Sequence, residues 1–390
     1  LDEIFPEWKK VTICIQMNPG GTQGKAFSVT NEFAIILFTD ASEIYRTLHL
    51  GGDTYNLRRW GSPSNRYEGA TCFYPIIVDN DFRIIGFGDV LDDNIHPTAQ
   101  VELRDDGLYN VWPIDIKNTE KKWRYARSTV EGIKERLFAE KKDERVEIIV
   151  RRETEPPKTM WMSNAYNAEA YGTDLIKAIL GQSQFSYPKS LYAEHDCLAL
   201  AVSGKPNALI VDFFAGSGNT LHAVNLLNAE DNGHRRCILV TNNEVSAEEE
   251  KKLLKQGHLP GDAEWEECGV ARNVTWKRTK YSILGTDVKG SPLSGNYGVE
   301  HEGFVEDEES AIVSRSTGKP LKRKVYKKAK IQEYPALADM KMADGFKSNV
   351  EYFKLGFLDK DSVTLGRQFK EILPLLWLKT GAVGKRPECD

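Results

Sequence analysis

Long apolar runs are missing from this chain of 390 residues, and with them any candidate for a membrane-spanning helix or a signal peptide. A cytoplasmic protein is expected. Cysteines are few and scattered. Cys14, Cys72, Cys197, Cys237, Cys268 and Cys389 form no Cys-x-x-Cys and no Cys/His pair at ligand spacing, which argues against a disulfide framework and a zinc site. The seven histidines show no ligand spacing either, so no metal is expected. A basic excess is also absent: 52 Lys and Arg face 57 Asp and Glu, for a net charge of −5 and a pI near 5.9. A polyanionic partner must therefore be met by a local basic surface. There is no initiator methionine. Leu1-Asp2-Glu3-Ile4-Phe5 starts as if within a helix, and Gly384-Lys385-Arg386-Pro387 closes no element, so the chain reads as an internal fragment. What is present is ordinary for a globular protein: 41% hydrophobic, 28% charged, and enough length for two or three domains.

The most informative stretch runs from Leu209 to Thr220, Leu-Ile-Val-Asp-Phe-Phe-Ala-Gly-Ser-Gly-Asn-Thr. The unbroken apolar run Leu209–Val211 predicts a buried strand. Gly216 and Gly218 permit a tight turn and close approach of a ligand. A helix from about Thr220 to Asn228 then points its N-terminus at that turn. The order strand, glycine turn, helix suits a nucleotide-like cofactor. Leu221 stands where a dinucleotide fingerprint needs its third glycine, which disfavours a NAD-dependent enzyme.

The segment Asp212-Phe213-Phe214-Ala215-Gly216-Ser217-Gly218 resembles motif I of the DNA amino-methyltransferases. Gly172-Thr173-Asp174-Leu175-Ile176 and Phe185-Ser186-Tyr187-Pro188-Lys189-Ser190 are similar to their motif X. Asn228–Arg236 and the strand Cys237–Glu244 are similar to motif II. Leu1–Phe5, Asn18–Gly21 and Thr30–Phe33 resemble the region after the catalytic motif in modification subunits of type III restriction–modification systems. Motif X before motif I, with a long insert ahead of it, is the order of the β-class adenine-N6 enzymes.

The resemblance implies an α/β fold with a Rossmann-like methyltransferase sheet, incomplete in this chain. It implies S-adenosylmethionine (SAM) as cofactor and double-stranded DNA as partner, with a restriction subunit as a candidate second partner. Asp212, Phe214, Gly216 and Gly218 would contact SAM; the bland alternative is a plain βα turn. Glu244 would accept from the ribose hydroxyls, with Asn242 beside it; otherwise Glu244 is a solvent-facing residue before a helix cap. Lys189 and Ser190, assisted by Thr173, would bind the methionine end; otherwise they mark a helix start. Phe185 is as suited to the core as to the adenine. Asn219 replaces the family's usual Thr, and both cap helices.

The expected organisation is residues 1–49 as the end of the catalytic region, 50–165 as a β-rich target-recognition insert, 166–290 as the SAM-binding half, 291–340 as linker and 341–390 as the start of a C-terminal region. Strands are predicted at Val11–Met17, Phe33–Thr39, Tyr74–Val78, Arg83–Phe87 and Val146–Val150. Helices are predicted at Arg127–Lys142, with Val130, Ile133, Leu137 and Phe138 on one face, at Glu248–Lys255 and near Thr275–Leu284. Residues 287–335, including acidic Glu306–Glu309 and basic Lys319–Lys330, read as loop. Arg58, Arg59 and Arg66 are the first DNA candidates, followed by Lys121, Lys122, Arg124 and Arg127. Each is otherwise a solvated surface charge.

The catalytic residues are unknown. The family's Asp-Pro-Pro-Tyr motif holds the target amine, and Pro156-Pro157 is followed by Lys158 with no aromatic to stack on a base. In the family that motif precedes the Leu-Asp-Glu-Ile-Phe stretch. The chain therefore reads as an adenine-N6 methyltransferase fragment, inactive alone and poorly soluble. A cytosine-N4 enzyme and a non-catalytic SAM- and DNA-binding module stay open. The strands near residues 11–39 and those near 209–242 should not be hydrogen-bonded to each other.

Overall fold

A computed structural model describes residues 1–21, 26–48, 54–142, 145–152, 154–182, 185–307, 312–313, 320–321, 325–356, 358–382 and 384–387. It divides into two compact units, Leu1–Phe346 and Lys347–Asp390. The first mixes α and β, with several small sheets of two to four strands.

Lys9–Gln16 pairs antiparallel with Asn31–Phe38 along its whole length and parallel with Met160–Trp161. Period-two alternation buries Ile13 and Ile15 against Trp161, Ala193 and Leu200. The other strand of the pair leaves Phe33 and Ile35 exposed.

The insert carries its own core. Ile84–Phe87, Ile76–Val78, Tyr109–Val111 and Val101–Leu103 form one antiparallel sheet, in that order. Thr54–Asn56, Arg145–Arg151 and Leu137–Lys142 form another. Between them lie Leu57, Tyr74, Ile76, Val111, Trp123, Ile148 and Val150. The indole of Trp123 donates to the Tyr74 carbonyl at 2.8 Å, which meets its one polar demand inside the core. The helix expected over Arg127–Lys142 is not formed. A single α turn, Arg127–Val130, runs into a 3-10 segment, Glu131–Arg136, and then into the Leu137–Lys142 strand. Leu137, Phe138 and Ala139 face Val150, Ile149 and Ile148 across the hairpin. Cross-strand burial outweighs a helical spacing interrupted by Gly132.

Leu209–Asp212 and Arg236–Leu239 pair in parallel, joined by the Asn219–Asp231 helix as a βαβ unit. The helix is buried continuously from Asn219 to Leu227. It packs in the largest core with Leu175, Ile176 and Ile179 of the Asp174–Leu180 helix and with Leu191 and Tyr192 of the Leu191–Val202 helix. The Ala247–Gln256 helix lies close to its predicted place. The one expected near Thr275 begins as a π segment, Ala271–Trp276, and continues as the α-helix Lys277–Leu284. The parallel pair is a sheet separate from the Lys9–Gln16 sheet, as the sequence predicts. The buried strand expected at Leu209–Val211 is covered on one face only: Ile210 is buried, whereas Leu209 and Val211, like Ile238 and Val240, are exposed, because the sheet has two strands and its helices pack on one side. Among the described residues no continuous multi-stranded parallel sheet is formed.

Residues 287–335 are not simply a loop. Glu300–Asp307 pairs antiparallel with Val325–Gln332. Lys330 lies 3.0 Å from Glu300, and Lys328 is near Glu302. The end of the basic run thus meets Glu300 and Glu302 across a ladder, while Glu306 and Asp307 lie opposite Tyr326 and Val325. Residues 308–309 of the first run, and 319 and 322–324 of the second, lie outside the described residues.

The second unit holds the helices Lys360–Thr364 and Phe369–Lys379, with Glu351 paired to Arg386 at 3.0 Å. The sequence offers this unit an apolar cluster in Val350, Tyr352, Phe353, Leu355, Phe357 and Leu358; of these Phe353 and Leu355 are exposed, and residue 357 lies outside the described residues. Among the described residues no helix is long and apolar enough to cross a membrane.

Candidate functional site

The site is built at the C-terminal end of the Leu209–Asp212 strand. The backbone leaves the strand with Val240 N donating to Asp212 O at 2.7 Å, and Ala215 N donating to Val240 O at 3.2 Å. It then turns through Gly216 at φ 49° and Gly218 at φ 77°. Both lie in the left-handed region that favours glycine. Space is also short: a Cβ on Gly216 would meet the Phe185 ring at 3.1 Å, and one on Gly218 would meet Thr275 at 3.2 Å. Phe185 therefore lies directly on the glycine turn, although 25 or more residues separate them in sequence. Phe214, at the tip, is 90% exposed.

Asp212 organises the turn. Its carboxylate accepts from Phe214 N at 2.9 Å and from the Thr220 hydroxyl at 2.7 Å. Thr220 Oγ1 also lies 3.2 Å from Glu194. One hydroxyl proton serves one carboxylate. Given to Asp212, it leaves the Thr220 oxygen free to accept from a protonated Glu194. Burial raises the pKa of Glu194, and the nearby Asp212 charge adds to the shift, which fits that arrangement.

The second loop of the site is tied to the first from below. Arg278 is fully buried on the Lys277–Leu284 helix. It donates to Ser217 Oγ at 2.9 Å and to Asn219 Oδ1 at 2.7 Å. Asn219 Nδ2 in turn donates to Ser190 O at 3.1 Å. Thr275 Oγ1 donates to Gly216 O at 2.5 Å. Burial lowers the Arg278 pKa to about 10, and its hydrogen-bond acceptors are neutral. Arg278 and Thr275 are not evident in the sequence, because nothing in Trp276-Lys277-Arg278 separates a buried arginine from a surface one.

Ser190 is itself buried. Its hydroxyl caps the Leu191–Val202 helix by accepting from Tyr192 N and donates to Ala165 O at 2.6 Å. Lys189 pairs with Glu32 of the Asn31–Phe38 strand. Thr173 enters through Gly172, where a Cβ would strike Pro188 O at 2.6 Å and Lys189 O at 2.9 Å. The structure thus brings together Phe185, Lys189, Ser190, Asp212, Gly216 and Gly218, with Thr173 beside them. Asn242 and Glu244 are exposed beyond the end of the Arg236–Leu239 strand. The intervening Asn243 is bound internally, donating to Glu266 O at 2.7 Å and accepting from Arg272 N at 3.2 Å.

The seven basic candidates of the insert are not presented alike. Arg58 is 4% exposed and paired with Glu147 at 3.1 Å. Arg66 is 6% exposed and donates to the carbonyls of Leu91, Asp92 and Ile95 and to Glu120. Lys122 is buried, its ammonium on Glu68 O at 2.8 Å. Arg127 donates to Gly88 O at 2.7 Å, and Lys121 to Asn65 at 2.7 Å. Arg124 is exposed, with Nε on Asn56 O at 3.0 Å. Arg59 is half-buried and, among the described residues, has no side-chain hydrogen bond or ion pair. The picture of solvated surface charge fails for Arg58, Arg66 and Lys122, whose polar ends fasten insert loops together.

No protein-family model matches the chain. Among curated proteins it is similar to the type II methyltransferase M.KpnI of Klebsiella pneumoniae, 32% identical over 266 residues, covering 62% of this chain and 58% of that protein. It is similar to the Mod subunit of the type III restriction-modification enzyme EcoPI from Escherichia phage P1, 26% identical over 48% of this chain and 28% of that protein. It is also similar to the StyLTI Mod subunit of Salmonella typhimurium, 38% identical over 87 residues, covering 22% of this chain and 13% of that protein. The chain thus spans about half the length of the first relative and less of the others. The resemblance carried by its motifs is one to DNA methyltransferases of restriction–modification systems.

Proposed function

We propose that this chain is the cofactor-binding and target-recognition part of a SAM-dependent DNA methyltransferase that acts on adenine N6. One observation carries the cofactor reading. A left-handed glycine turn at a strand end is roofed by Phe185 and joined through Asn219 to the Lys189-Ser190 loop. Two helices begin after Ser190 and Gly218, on either side of the Asn219 link, and helix N-termini favour a carboxylate. Phe185 and Phe214 supply apolar faces for a purine. Glu244, with Asn242, serves the ribose hydroxyls; Lys189 and Thr173 serve the methionine end. SAM would supply the activated methyl group. The chain's own residues bind and orient it so that an in-line displacement becomes possible.

DNA contact by the insert is assigned first to Arg59 and Arg124, with Lys121 beside them. Arg58, Arg66, Lys122 and Arg127 hold the loops that carry them. A restriction subunit and a cytoplasmic setting go with this reading. A non-catalytic module that binds SAM and DNA is the second reading, favoured by the lack of an aromatic residue after Pro156-Pro157.

The test is calorimetric titration with SAM. Phe185→Ala is expected to weaken binding on the order of tenfold, the scale of losing one aromatic stacking face. Wild-type protein that shows no heat and no thermal stabilisation with SAM would remove the cofactor assignment.

A further inference from the structure

We propose that Trp60 is a preformed stacking platform for an unpaired DNA base; the proposal rests on the DNA-modification reading above. Trp60 is 60% exposed, yet it is not a loosely held surface residue. The Arg58 guanidinium lies 4.2 Å from its ring centroid. That guanidinium is itself immobilised. Nη2 meets both Glu147 oxygens, at 3.1 and 3.4 Å, and the Arg58 amide donates to Asn56 Oδ1 at 2.7 Å. Asn56 is hydrogen-bonded to the same Glu147. Arg58 also bridges Trp123 of the insert core, and Arg59 N donates to Lys122 O at 2.9 Å. A cation–π contact to a fixed, desolvated cation holds the indole in one orientation. Most of its surface stays open to solvent.

The surroundings suit a nucleobase. Gly61 follows at φ 75°, and a Cβ there would meet nothing within 4 Å, so the backbone that leaves Trp60 is itself uncovered. Arg59, which has no side-chain partner among the described residues, supplies the charge that a phosphate backbone requires. An aromatic face accepts any base by stacking, without reading its edge. Chemistry on an exocyclic amine needs the base out of the duplex stack, which leaves an unstacked base to be accommodated. A pinned, exposed indole offers that base a surface at little ordering cost.

The bland alternative is that Trp60 only shields the Arg58–Glu147 pair from water. Trp60→Leu separates the two, because leucine can cover the pair but has no π face. Binding of the 390-residue chain to two labelled duplexes of one sequence would be followed by fluorescence anisotropy. One duplex is fully paired and one carries a single bulged adenine. The wild type is expected to prefer the bulged duplex. Trp60→Leu should cut that preference on the order of tenfold, while Trp60→Phe keeps most of it. Arg59→Ala should weaken both duplexes alike. A Trp60→Leu variant with an unchanged ratio, or a wild type without preference, overturns the platform alone. A wild type that binds neither duplex overturns the DNA reading and the platform with it.

Discussion

The Arg278 side chain donates to Asn219 Oδ1 at 2.7 Å from a position with no solvent exposure. Asn219 passes the restraint on to Ser190 O at 3.1 Å. One buried cation therefore sets the spacing of the glycine turn and the loop before the Leu191–Val202 helix. A charge in that place is costly unless its donors are used, and Arg278 Nε has no hydrogen-bond partner among the described residues. The position of the two loops is the return on that cost.

Arg278→Met is expected to lower SAM affinity on the order of tenfold. Stability should move less. Two buried acceptors lose a donor, at about 1–3 kcal/mol, and removal of a desolvated cation offsets part of this. Calorimetry and urea melts on the same samples check the split. Unchanged affinity in a folded variant would exclude the positioning role.

Gly172→Ala should act on the same loop from the other side. Its Cβ would sit 2.6 Å from Pro188 O, a backbone atom that can only move by shifting the chain. A loss of about 1–3 kcal/mol is expected, together with weaker SAM binding. Gly132→Ala meets nothing within 4 Å and should be neutral within about 1 kcal/mol. Equal effects of the two in denaturant melts would contradict this account.

His195 gives a pH signature. It is buried, which opposes its charge, but hydrogen bonds to Asp196 at 2.7 Å and Glu230 at 3.0 Å outweigh burial and hold its pKa up to about 9. The folded-state pKa lies above the ordinary 6.5. The stabilisation is therefore complete below about pH 6.5 and lost as pH rises through about 9, on the order of 3 kcal/mol in total. His195→Gln should remove this alkaline loss. Unfolding free energies of both proteins from pH 6 to 10 would reveal it, and parallel curves would rule it out.

Arg59 and Arg66 should separate binding from stability. Arg59→Ala is expected to leave stability within about 0.5 kcal/mol. It should reduce the log–log salt slope of DNA binding by about one. Arg66→Ala removes a buried partner of Glu120 and of three carbonyls and should cost about 3 kcal/mol. A reversed pattern would mean that Arg66 meets the phosphate.

The glycine turn, its strand and the helix after it are legible in position because an apolar run and two glycines mark them locally, but the strand's burial is not: Leu209 and Val211 are exposed. Phe185 is recognisable only as a candidate, since its place on Gly216 depends on how two distant segments pack. Leu137 and Phe138 mislead because their spacing from Val130 and Ile133 fits a helix, whereas their partners Val150 and Ile149 are set by a hairpin. The basic run ending at Lys330 suggests a solvated strip when taken alone. Its acidic complement at Glu300 and Glu302 holds the information, and it lies about 30 residues earlier in the chain. Burial of Arg58, Arg66 and Arg278 leaves no local trace, because the acceptors of each come from remote segments of the chain.

The insert's main core is drawn entirely from its own stretch, from Leu57 to Val150, and shares no side chain with the core around Leu175, Ala223 and Tyr297. Such a segment can change its surface, or be exchanged whole, without repacking the core beside the Gly216 turn. If the proposed function holds, specificity in a chain built this way is a replaceable part, and its evolution need not wait on that of the turn at Gly216.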